Sequence, residues 1–401
     1  MEITTGTLGI QCPELLAYGI NNSFSTVSTI YQSLAESEDG KNLTKDLMDN
    51  PRILELLNEK IITGAGYNSF NINLFVQWYL WRINNVGQDQ ANQDLNTYLN
   101  SDTVPSIAAV WIYGIDVDKT IPLFDGFEIR PFSLMPESFD KYLFHGPYSM
   151  TAKNGNPSNA AIVKTVQIKK QKNPSKNIDP LKPDFPDSFY TLYEVMKVAD
   201  LLSLINGCRP CKDSSSIYSP DHVPYGCFSN IGCGSCLEEV YTCFSMNLLI
   251  SDPEMVQSVE SLYRGINERI QSEQDVLWRI VQRLSQAKRR TRIEDKILDL
   301  GITMEMLLIN ERTTSELKYR FALRGSFLLT STKKTRKEIF YDLKRFYDLR
   351  SAIAHSGVFS ERESRLAMEN IETYEEYVES ICSYIILNGW PDWDTLILEN
   401  S

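Results

Sequence analysis

The sequence predicts an α+β protein with a mixed α/β N-terminal region, a Cys-rich element and an all-α helical bundle, in that order. Short runs of β-branched and aromatic residues cluster between residues 107 and 170, as in a small sheet. Six of the eight cysteines fall between Cys208 and Cys243. Beyond Pro253 apolar residues recur at helical spacing. We therefore expect three domains, over residues 1–185, 186–252 and 253–401.

The first hundred residues predict mainly helix. Apolar periodicity between Gly, Asn and Pro signals indicates helices near residues 25–34, 44–58, 71–83 and 90–99. Between them, GAGYNS (residues 64–69) resembles half of a dinucleotide-binding loop. It lacks the third glycine and a surrounding βαβ unit, so we interpret it as a turn.

The following segment predicts strands. AAVWIYGIDV (residues 108–117), PLFDGFEIRPF (122–132) and IVKTVQIKK (162–170) are rich in β-branched and aromatic residues, and Asp125-Gly126 is a hairpin-turn sequence. The polar, proline-containing stretch over residues 171–188 then predicts a linker or long surface loop.

Composition and charge favour a cytoplasmic protein that does not act on membranes. Hydrophobic content of 42% and charged content of 23% are ordinary for a folded protein. The net charge of −12 argues against non-specific coating of nucleic acid. The first eleven residues have neither a basic nor an apolar stretch of the export type, and no long apolar run predicts a membrane span.

The C-terminal region predicts helices over residues 253–287, 293–310, 315–329, 335–355 and 361–387. Their short connections favour antiparallel packing of neighbours.

Charge is uneven over these helices. Residues 333–350 hold seven cations and three acids, whereas residues 351–401 hold two cations and ten acids. A selective polyanion site requires such a basic zone, although a solvated helix face is the commoner explanation. The candidate RNA-binding residues of the zone are Arg336, Lys337, Lys344 and Arg345.

The segment YDLRSAIAHSG places Arg350 and His355 five positions apart near the end of a helical pattern, with Gly357 as its stop signal. Arginine can bind a phosphate in a bidentate manner and stabilise the charge of a transition state. Histidine can move protons at neutral pH. Beside a ribose phosphate this pair suffices for RNA cleavage in which the 2′-oxygen is the nucleophile. A surface or capping histidine is the commoner occurrence at such a position.

Residues 282–357 resemble the HEPN superfamily, and in particular its Apea-like branch from prokaryotic defence proteins. AKRRTRIEDKILDLGITMEMLL is similar to that branch's basic turn and following helix, with Asp295, Asp299 and Glu305 at matching places. ELKYRFALRGSFLL is similar to its next helix, and TRKEIFYDLKRFYDLRSAIAHSG to its Arg-polar-x-x-x-His helix. Arg350, Ser351 and His355 fall on the three residues of that motif.

The resemblance implies a HEPN helical bundle over residues 253–401 and a metal-independent endoribonuclease of anti-phage defence, acting by abortive infection. Its site residues would be Arg350, His355, Ser351 and Glu305. Sites of this family form where two bundles meet, which implies a homodimer acting on RNA. The N-terminal region would then sense or regulate, in response to a phage-derived trigger or inhibitor. Non-catalytic members imply the alternative, an RNA-binding or dimerisation module.

The cysteines suggest a structural Zn²⁺, not a catalytic one. Cys208-x2-Cys211 and Cys233-x2-Cys236 are separated by 21 residues, and two such pairs commonly supply four thiolates to one zinc ion. Cys227, Cys243 or His222 could replace one of these ligands, and a set of free thiols is the other interpretation. We expect Cys12 and Cys382 to be single buried thiols.

Overall fold

The computed structural model describes most of the chain, including the greater part of its C-terminal half. The described residues are 35–57, 60–63, 66–113, 115, 117–135, 160–169, 187–205, 208–218, 220–224, 234–235, 253–309, 315–329 and 334–399. They form a mixed α+β structure that is mainly helical and contains a small antiparallel sheet. The predicted mixed α and β character is thereby confirmed. In this part of the chain no helix is both long and apolar enough to cross a membrane.

The chain divides into two compact units. The first contains the described residues of 1–113, 117–196 and 212–237, and the second those of 114–116, 197–211 and 238–401.

The first unit combines helices with two sheets. Its helices are α1 (Glu38–Met48), α2 (Pro51–Leu57), α3 (Ile72–Val86), α4 (Gln88–Asn100) and most of α5 (Asp187–Leu201). Its strands are β1 (Lys60–Thr63), β2 (Gly66–Ser69), β3 (Thr103–Tyr113), β4 (Ile121–Pro122), β5 (Phe127–Pro131), β6 (Ala160–Lys169), β7 (Cys211–Tyr218) and β8 (Gly234–Ser235). β1 and β2 form a hairpin, and the other six strands form one sheet in the order β4-β5-β6-β3-β7-β8. The cysteine-rich segment contributes β7 and β8, which were not predicted.

The core of the larger sheet lies on its two central strands. β3 and β6 pair in antiparallel fashion from Thr103↔Lys169 to Ile112↔Ala160. Alternate residues of a strand face the same side, and Ile107, Ala109 and Trp111 accordingly share one buried cluster with Ala161 and Val163. The strands predicted over residues 108–117 and 162–170 correspond to β3 and β6, but β3 ends at Tyr113, and Ile115 and Val117 lie outside it.

The predicted Asp125-Gly126 turn is also confirmed. Both residues have a positive φ, at 48° and 78°, a combination that suits a tight hairpin turn and that glycine adopts without strain. Phe127 N–H donates to the Phe124 carbonyl across this turn.

Two local predictions in the first unit were wrong. Residues 66–69 are not a turn, because they pair with β1 from Thr63↔Gly66 to Lys60↔Ser69. The helix expected over 44–58 is two helices, because Pro51 cannot donate the hydrogen bond that would continue α1 and instead begins α2. The helix expected over 25–34, and nearly all of the linker expected over 171–188, lie outside the described residues.

The second unit is a helical bundle. Its described helices are α6 (Pro253–Asn267), α7 (Gln271–Arg289), α8 (Ile293–Leu308), α9 (Leu317–Leu328), α10 (Arg336–Ser356), α11 (Glu361–Asn388) and α12 (Trp393–Glu399). Helix α8 packs against α7, α9, α10 and α11. The rings of Phe346 on α10 and Tyr374 on α11 stack with centroids 4.4 Å apart. Helices α8 to α11 confirm the last four predicted helices, whereas α12 was not predicted.

The single helix expected over residues 253–287 is broken into α6 and α7. Helix α6 ends at Asn267, and α7 begins at Gln271. The side-chain amide of Gln274 donates to the carbonyls of Asn267 and Arg269, at 2.9 and 2.7 Å. It thereby satisfies carbonyls that the end of a helix leaves without partners, which the apolar periodicity could not indicate.

Candidate functional site

Helix α10 carries Arg350, Ser351 and His355, and its ends are fixed by local sequence. Thr335 and Glu338 form a reciprocal capping box at its start, which satisfies backbone N–H groups of the first turn. At its end Gly357 has φ 73° and donates its N–H to the Ile353 carbonyl. The stop predicted at this glycine is confirmed, and it leaves His355 in the last turn.

Arg350 is ion-paired with Glu305 of α8. The Nη2 group of Arg350 donates to Oε2 of Glu305 at 2.5 Å. The two side chains keep 23% and 22% of their exposure, so the pair lies at the edge of the bundle. The Nε atom of Arg350 is buried and has no hydrogen-bond acceptor among the residues that the structure describes. This donor is unused, but because it is buried a ligand would reach it only if the Arg350 side chain moved.

Gly301 makes room for the Arg350 side chain on α8. A Cβ atom at this position would lie 2.3 Å from Cγ and 2.8 Å from Cβ of Arg350. Gly301 precedes Glu305 by four residues, so the two lie on the same face of α8. The helix thus offers a gap to the arginine stem and a carboxylate to its head. Gly301 was missed from the sequence, although a glycine inside a helical pattern was a usable signal.

Electrostatics link the Arg350–Glu305 pair to Tyr347. Burial raises the pKa of Glu305, and the charge and hydrogen bond of Arg350 oppose this effect only in part. Burial, followed by the negative charge of Glu305, raises the pKa of Tyr347. Tyr347 lies one turn before Arg350, on the same side of α10. It was missed as well, although this spacing was visible in the sequence.

His355 lies away from Arg350. Five residues of an α-helix correspond to about 7.5 Å of rise and about 140° of rotation. The His355 side chain is exposed, whereas Arg350 is half-buried against α8. The two side chains therefore face different surfaces of the same bundle.

The face of α10 that carries His355 also carries two of the predicted RNA-binding lysines. Lys337, Lys344, Ser351 and His355 are spaced by seven, seven and four residues, which places them on one face of the helix. Lys337 and His355 are exposed, and Lys344 and Ser351 are half-buried. We call these four residues the His355 face; the exposed Asp348, four residues after Lys344 and seven before His355, shares this face and is paired with Lys318 at 2.6 Å.

The other two predicted RNA-binding residues have contacts within the bundle. Arg345 donates to Oδ1 of the buried Asp342. Lys334 binds the other oxygen of that carboxylate at 2.7 Å. The Arg336 guanidinium carbon lies 4.0 Å from the centroid of the Phe327 ring.

Asp342 is held in its charged form. Burial would raise its pKa, but hydrogen bonds and charges from Lys334 and Arg345 outweigh burial, and the pKa is lowered. Its carboxylate also accepts a hydrogen bond from the Tyr377 hydroxyl at 3.2 Å.

A second, mostly buried group of charges lies between α7, α8, α11 and the segment that precedes β7, and Arg209 keeps 32% of its side-chain exposure. Lys296 and Arg209 bind the two oxygens of Glu375 at 2.9 and 3.0 Å. Lys288 binds Glu379 at 2.7 Å and donates to the Ser203 carbonyl at 2.7 Å. We call this group the Glu375 cluster. It comprises Arg209, Lys288, Lys296, Glu375 and Glu379.

Asp299, which the HEPN resemblance singled out, also has a structural contact. Its two oxygens accept hydrogen bonds from Arg283 and Arg290 at 2.8 Å each. The basic end of α7 is thereby attached to α8. Asp295 is half-buried near the start of α8.

The predicted zinc ligands are only partly within the described residues. Cys208 and Cys211 are both fully buried, and burial raises the pKa of Cys208 to about 11. Cys227, Cys233, Cys236 and Cys243 lie outside the described part, as does Cys12. Among the described residues no three His, Cys, Asp or Glu side chains form a metal-binding group. His222 lies 3.5 Å from Asp221, and Cys382 is a buried thiol on α11.

Comparison with known proteins adds no relative to this description: no protein-family model, no curated protein and no solved structure matches the chain.

Proposed function

We propose that the chain is a metal-independent endoribonuclease of the Apea-like HEPN kind, which acts as a homodimer in anti-phage defence. The observation that carries this proposal is the state of Arg350. It is half-buried against Glu305 and still has an Nε donor without an acceptor among the described residues. The exposed His355 lies on the same helix, at the end of a face that carries Lys337 and Lys344. The HEPN resemblance supplies the reaction class.

The proposed reaction needs one proton acceptor and one proton donor. The ribose 2′-oxygen attacks the phosphorus, and a neutral His355 takes the 2′-hydroxyl proton. A protonated His355 gives a proton to the departing 5′-oxygen as the P–O5′ bond breaks. Arg350 binds the non-bridging phosphate oxygens and stabilises the charge of the transition state. The products are a 2′,3′-cyclic phosphate and a 5′-hydroxyl.

A second copy of α10 would complete the site. One histidine cannot serve as acceptor and donor in the same step, and His355 lies about 140° around the helix from Arg350 of its own chain. In a two-fold dimer each residue near the axis faces its own copy. We propose that a pair of His355 side chains close to this axis surrounds one phosphate and that Arg350 reaches it from the rim of the same interface.

The test is cleavage of bacterial RNA by the full chain in EDTA, with mapping of the fragment ends. Wild type is compared with Arg350→Ala and with Arg279→Ala, which removes an exposed arginine of α7 outside the motif. We expect cyclic phosphate ends with wild type and Arg279→Ala, and no cleavage with Arg350→Ala. A 2′-deoxy substitution at a mapped site should also prevent cleavage there. Cleavage of the deoxy substrate would contradict the proposed nucleophile.

One observation favours the second candidate, a non-catalytic RNA-binding or dimerisation module. The Glu305 carboxylate neutralises the charge of Arg350, as a structural ion pair would. In that case Arg350→Ala should weaken RNA binding or dimer formation, and no fragment ends should appear with any variant. Binding by fluorescence anisotropy and mass by sedimentation separate these outcomes.

We also propose a structural Zn²⁺ bound by Cys208, Cys211, Cys233 and Cys236. The described pair fits a zinc site in residue type, spacing and burial. Zinc would hold these thiolates and stabilise the fold without taking part in the reaction. Elemental analysis of purified protein should give one zinc per chain, lost in Cys208→Ser. Cys382→Ser, which removes a buried thiol outside the motif, should keep its zinc. Zinc retained by Cys208→Ser would contradict this ligand set.

A further inference from the structure

Three aromatic side chains lie next to the lysines of the His355 face. Tyr319 of α9 and Tyr341 of α10 are 50% and 52% exposed. The half-buried Phe340 lies between them, with ring centroids 5.7 Å from Tyr319 and 5.6 Å from Tyr341. Both contacts are edge-on. Exposed apolar groups that cluster together and are rimmed by polar residues often mark a contact site.

Positive charge accompanies these rings. The Lys344 ammonium lies 5.3 Å from the centroid of the Phe340 ring. The nearby acid, Asp348, is neutralised by Lys318 at 2.6 Å. On this side of α10 the cations are Lys337 and Lys344, whereas Lys334 and Arg345 pair with Asp342. The other two acids of α10 are engaged in the N-terminal capping box and in ion pairs. The surface therefore favours an anionic partner with flat apolar groups.

We propose that Tyr319, Phe340 and Tyr341, together with Lys344, form a base-stacking subsite for unpaired RNA on the His355 side of α10. Exposed aromatic rings beside basic residues are the usual means of holding single-stranded nucleic acid, because every base has a face that stacks. That the bound RNA extends from the rings towards His355 rests on the proposed function. That the ligand is unpaired nucleic acid follows from the rings and charges alone.

The position of the subsite relative to His355 sets its role. Tyr341 precedes His355 by 14 residues, which is about 21 Å along a helix. A few nucleotides of extended RNA span that distance, with their phosphates passing Lys344 on the way. Bases held at the rings would thus place a more distant phosphodiester bond at the histidine. A base-paired substrate would not fit, since its bases are already stacked.

The test measures binding of two oligonucleotide probes by fluorescence anisotropy. One is 2′-O-methyl oligouridine, which the proposed reaction cannot cleave, and the other is a backbone of equal length without bases. The variant is the full chain with Tyr319→Ala and Tyr341→Ala. The control is Tyr384→Ala, which removes a partly exposed tyrosine of α11. We expect the double variant to bind oligouridine at least about tenfold more weakly than wild type does. Its affinity for the abasic probe should not change. Tyr384→Ala should bind both probes as wild type does.

Two results would overturn the inference. In the first, the double variant binds both probes equally more weakly than wild type, or binds both as well as wild type does, so the rings do not contact bases. In the second, sedimentation shows that the double variant has lost its dimer while its monomer binds RNA normally, so the rings cover a subunit interface. A cleavage assay tests the nuclease proposal separately. If the rings stack on RNA bases, the double variant should show a raised KM and an unchanged kcat. If no protein cleaves but the base-dependent loss is seen, only the nuclease proposal fails.

Discussion

Two groups of buried charge in the helical bundle differ in how completely their members are paired. In the Glu375 cluster each carboxylate faces a cation, and Lys288 also donates to a backbone carbonyl. The side chains of Lys288 and Glu375 keep only 2% and 6% of their exposure. At the Arg350–Glu305 pair both side chains keep more than a fifth of their exposure. The Arg350 Nε lacks an acceptor among the described residues.

This difference separates structural charge from charge available to a ligand. A fully paired buried cluster resists change, because removal of one member leaves another charge buried without a partner. At the edge of the bundle the Arg350 side chain keeps 23% of its exposure, so we expect a phosphate to reach its exposed part without opening the bundle. We therefore expect substitutions in the Glu375 cluster to change stability, and substitutions around Arg350 to change activity.

The largest loss of stability is expected for Glu375→Gln. This variant keeps the size of the side chain and leaves Lys296 and Arg209 without their counter-charge. Removal of one member of a buried pair costs about 3–5 kcal/mol, which urea-induced unfolding would measure. The RNA cleavage rate per folded molecule should not change. A loss below about 1 kcal/mol would mean that the cluster is open to water.

A smaller loss of stability with a large loss of activity is expected for Gly301→Ala. The added methyl group would overlap Cβ and Cγ of Arg350, so the arginine must move. Overpacking of this kind costs about 1–3 kcal/mol. If Arg350 binds the transition state as proposed, its displacement should slow cleavage by about a hundredfold.

Gly325→Ala is the matched control for this prediction. Its methyl group would lie 2.6 Å from a methyl carbon of Leu343 in the core and would not contact Arg350. It should lower stability to a similar extent and leave the cleavage rate unchanged. Equal slowing by both variants would show that the effect is general loosening of the bundle.

Asp342→Asn should lower stability by about 1–2 kcal/mol near neutral pH, because its carboxylate accepts charge-assisted hydrogen bonds from Lys334 and Arg345. The lowered pKa of Asp342 fixes the pH dependence. Its contribution is complete above the unfolded-state pKa of about 3.9 and is lost as the pH falls through the lower folded-state pKa. Urea unfolding at pH 6 and pH 3 should therefore show that the difference in the free energy of unfolding between wild type and variant becomes smaller in acid. A difference that becomes larger would contradict this assignment.

The smallest change in stability is expected for Glu305→Gln. A partly exposed ion pair contributes about 0–1 kcal/mol, and the raised pKa of Glu305 means that its charged form is already disfavoured by burial. The net contribution of the Glu305 carboxyl group to stability is therefore largest in acid, where the group is protonated, and is lost as the pH rises through its raised folded-state pKa. Cleavage should nevertheless slow about tenfold or more, because Arg350 loses the group that orients it. Unchanged kcat and KM would show that Glu305 does not position Arg350.

The sequence predicted those parts of the fold that depend on local patterns. Alternating and helical apolar spacing located β3, β6 and helices α8 to α11, and Asp125-Gly126 and Gly357 located a turn and a helix end. The break between α6 and α7 was missed because it depends on the Gln274 amide, which caps carbonyls across the break. Such a contact leaves no trace in apolar periodicity.

The site was predictable in its residues but not in its arrangement. Arg350 and His355 were visible as a motif, whereas the gap at Gly301 depends on how closely α8 and α10 pack. The four cations proposed to bind RNA looked equivalent in the sequence. The structure separates the two lysines, on the His355 face, from the two arginines, which contact Asp342 and Phe327. That distinction depends on tertiary neighbours, which charge counting does not include.

Above all, we propose that His355 performs chemistry and is not required for folding, and one paired measurement on His355→Ala tests this. The melting temperature and the rate of RNA cleavage in EDTA would be determined for wild type and variant in the same preparation. We expect an unchanged melting temperature, because the His355 side chain is exposed, together with complete loss of fragments that end in a 2′,3′-cyclic phosphate. Cleavage by the variant at the wild-type rate would contradict a chemical role for His355.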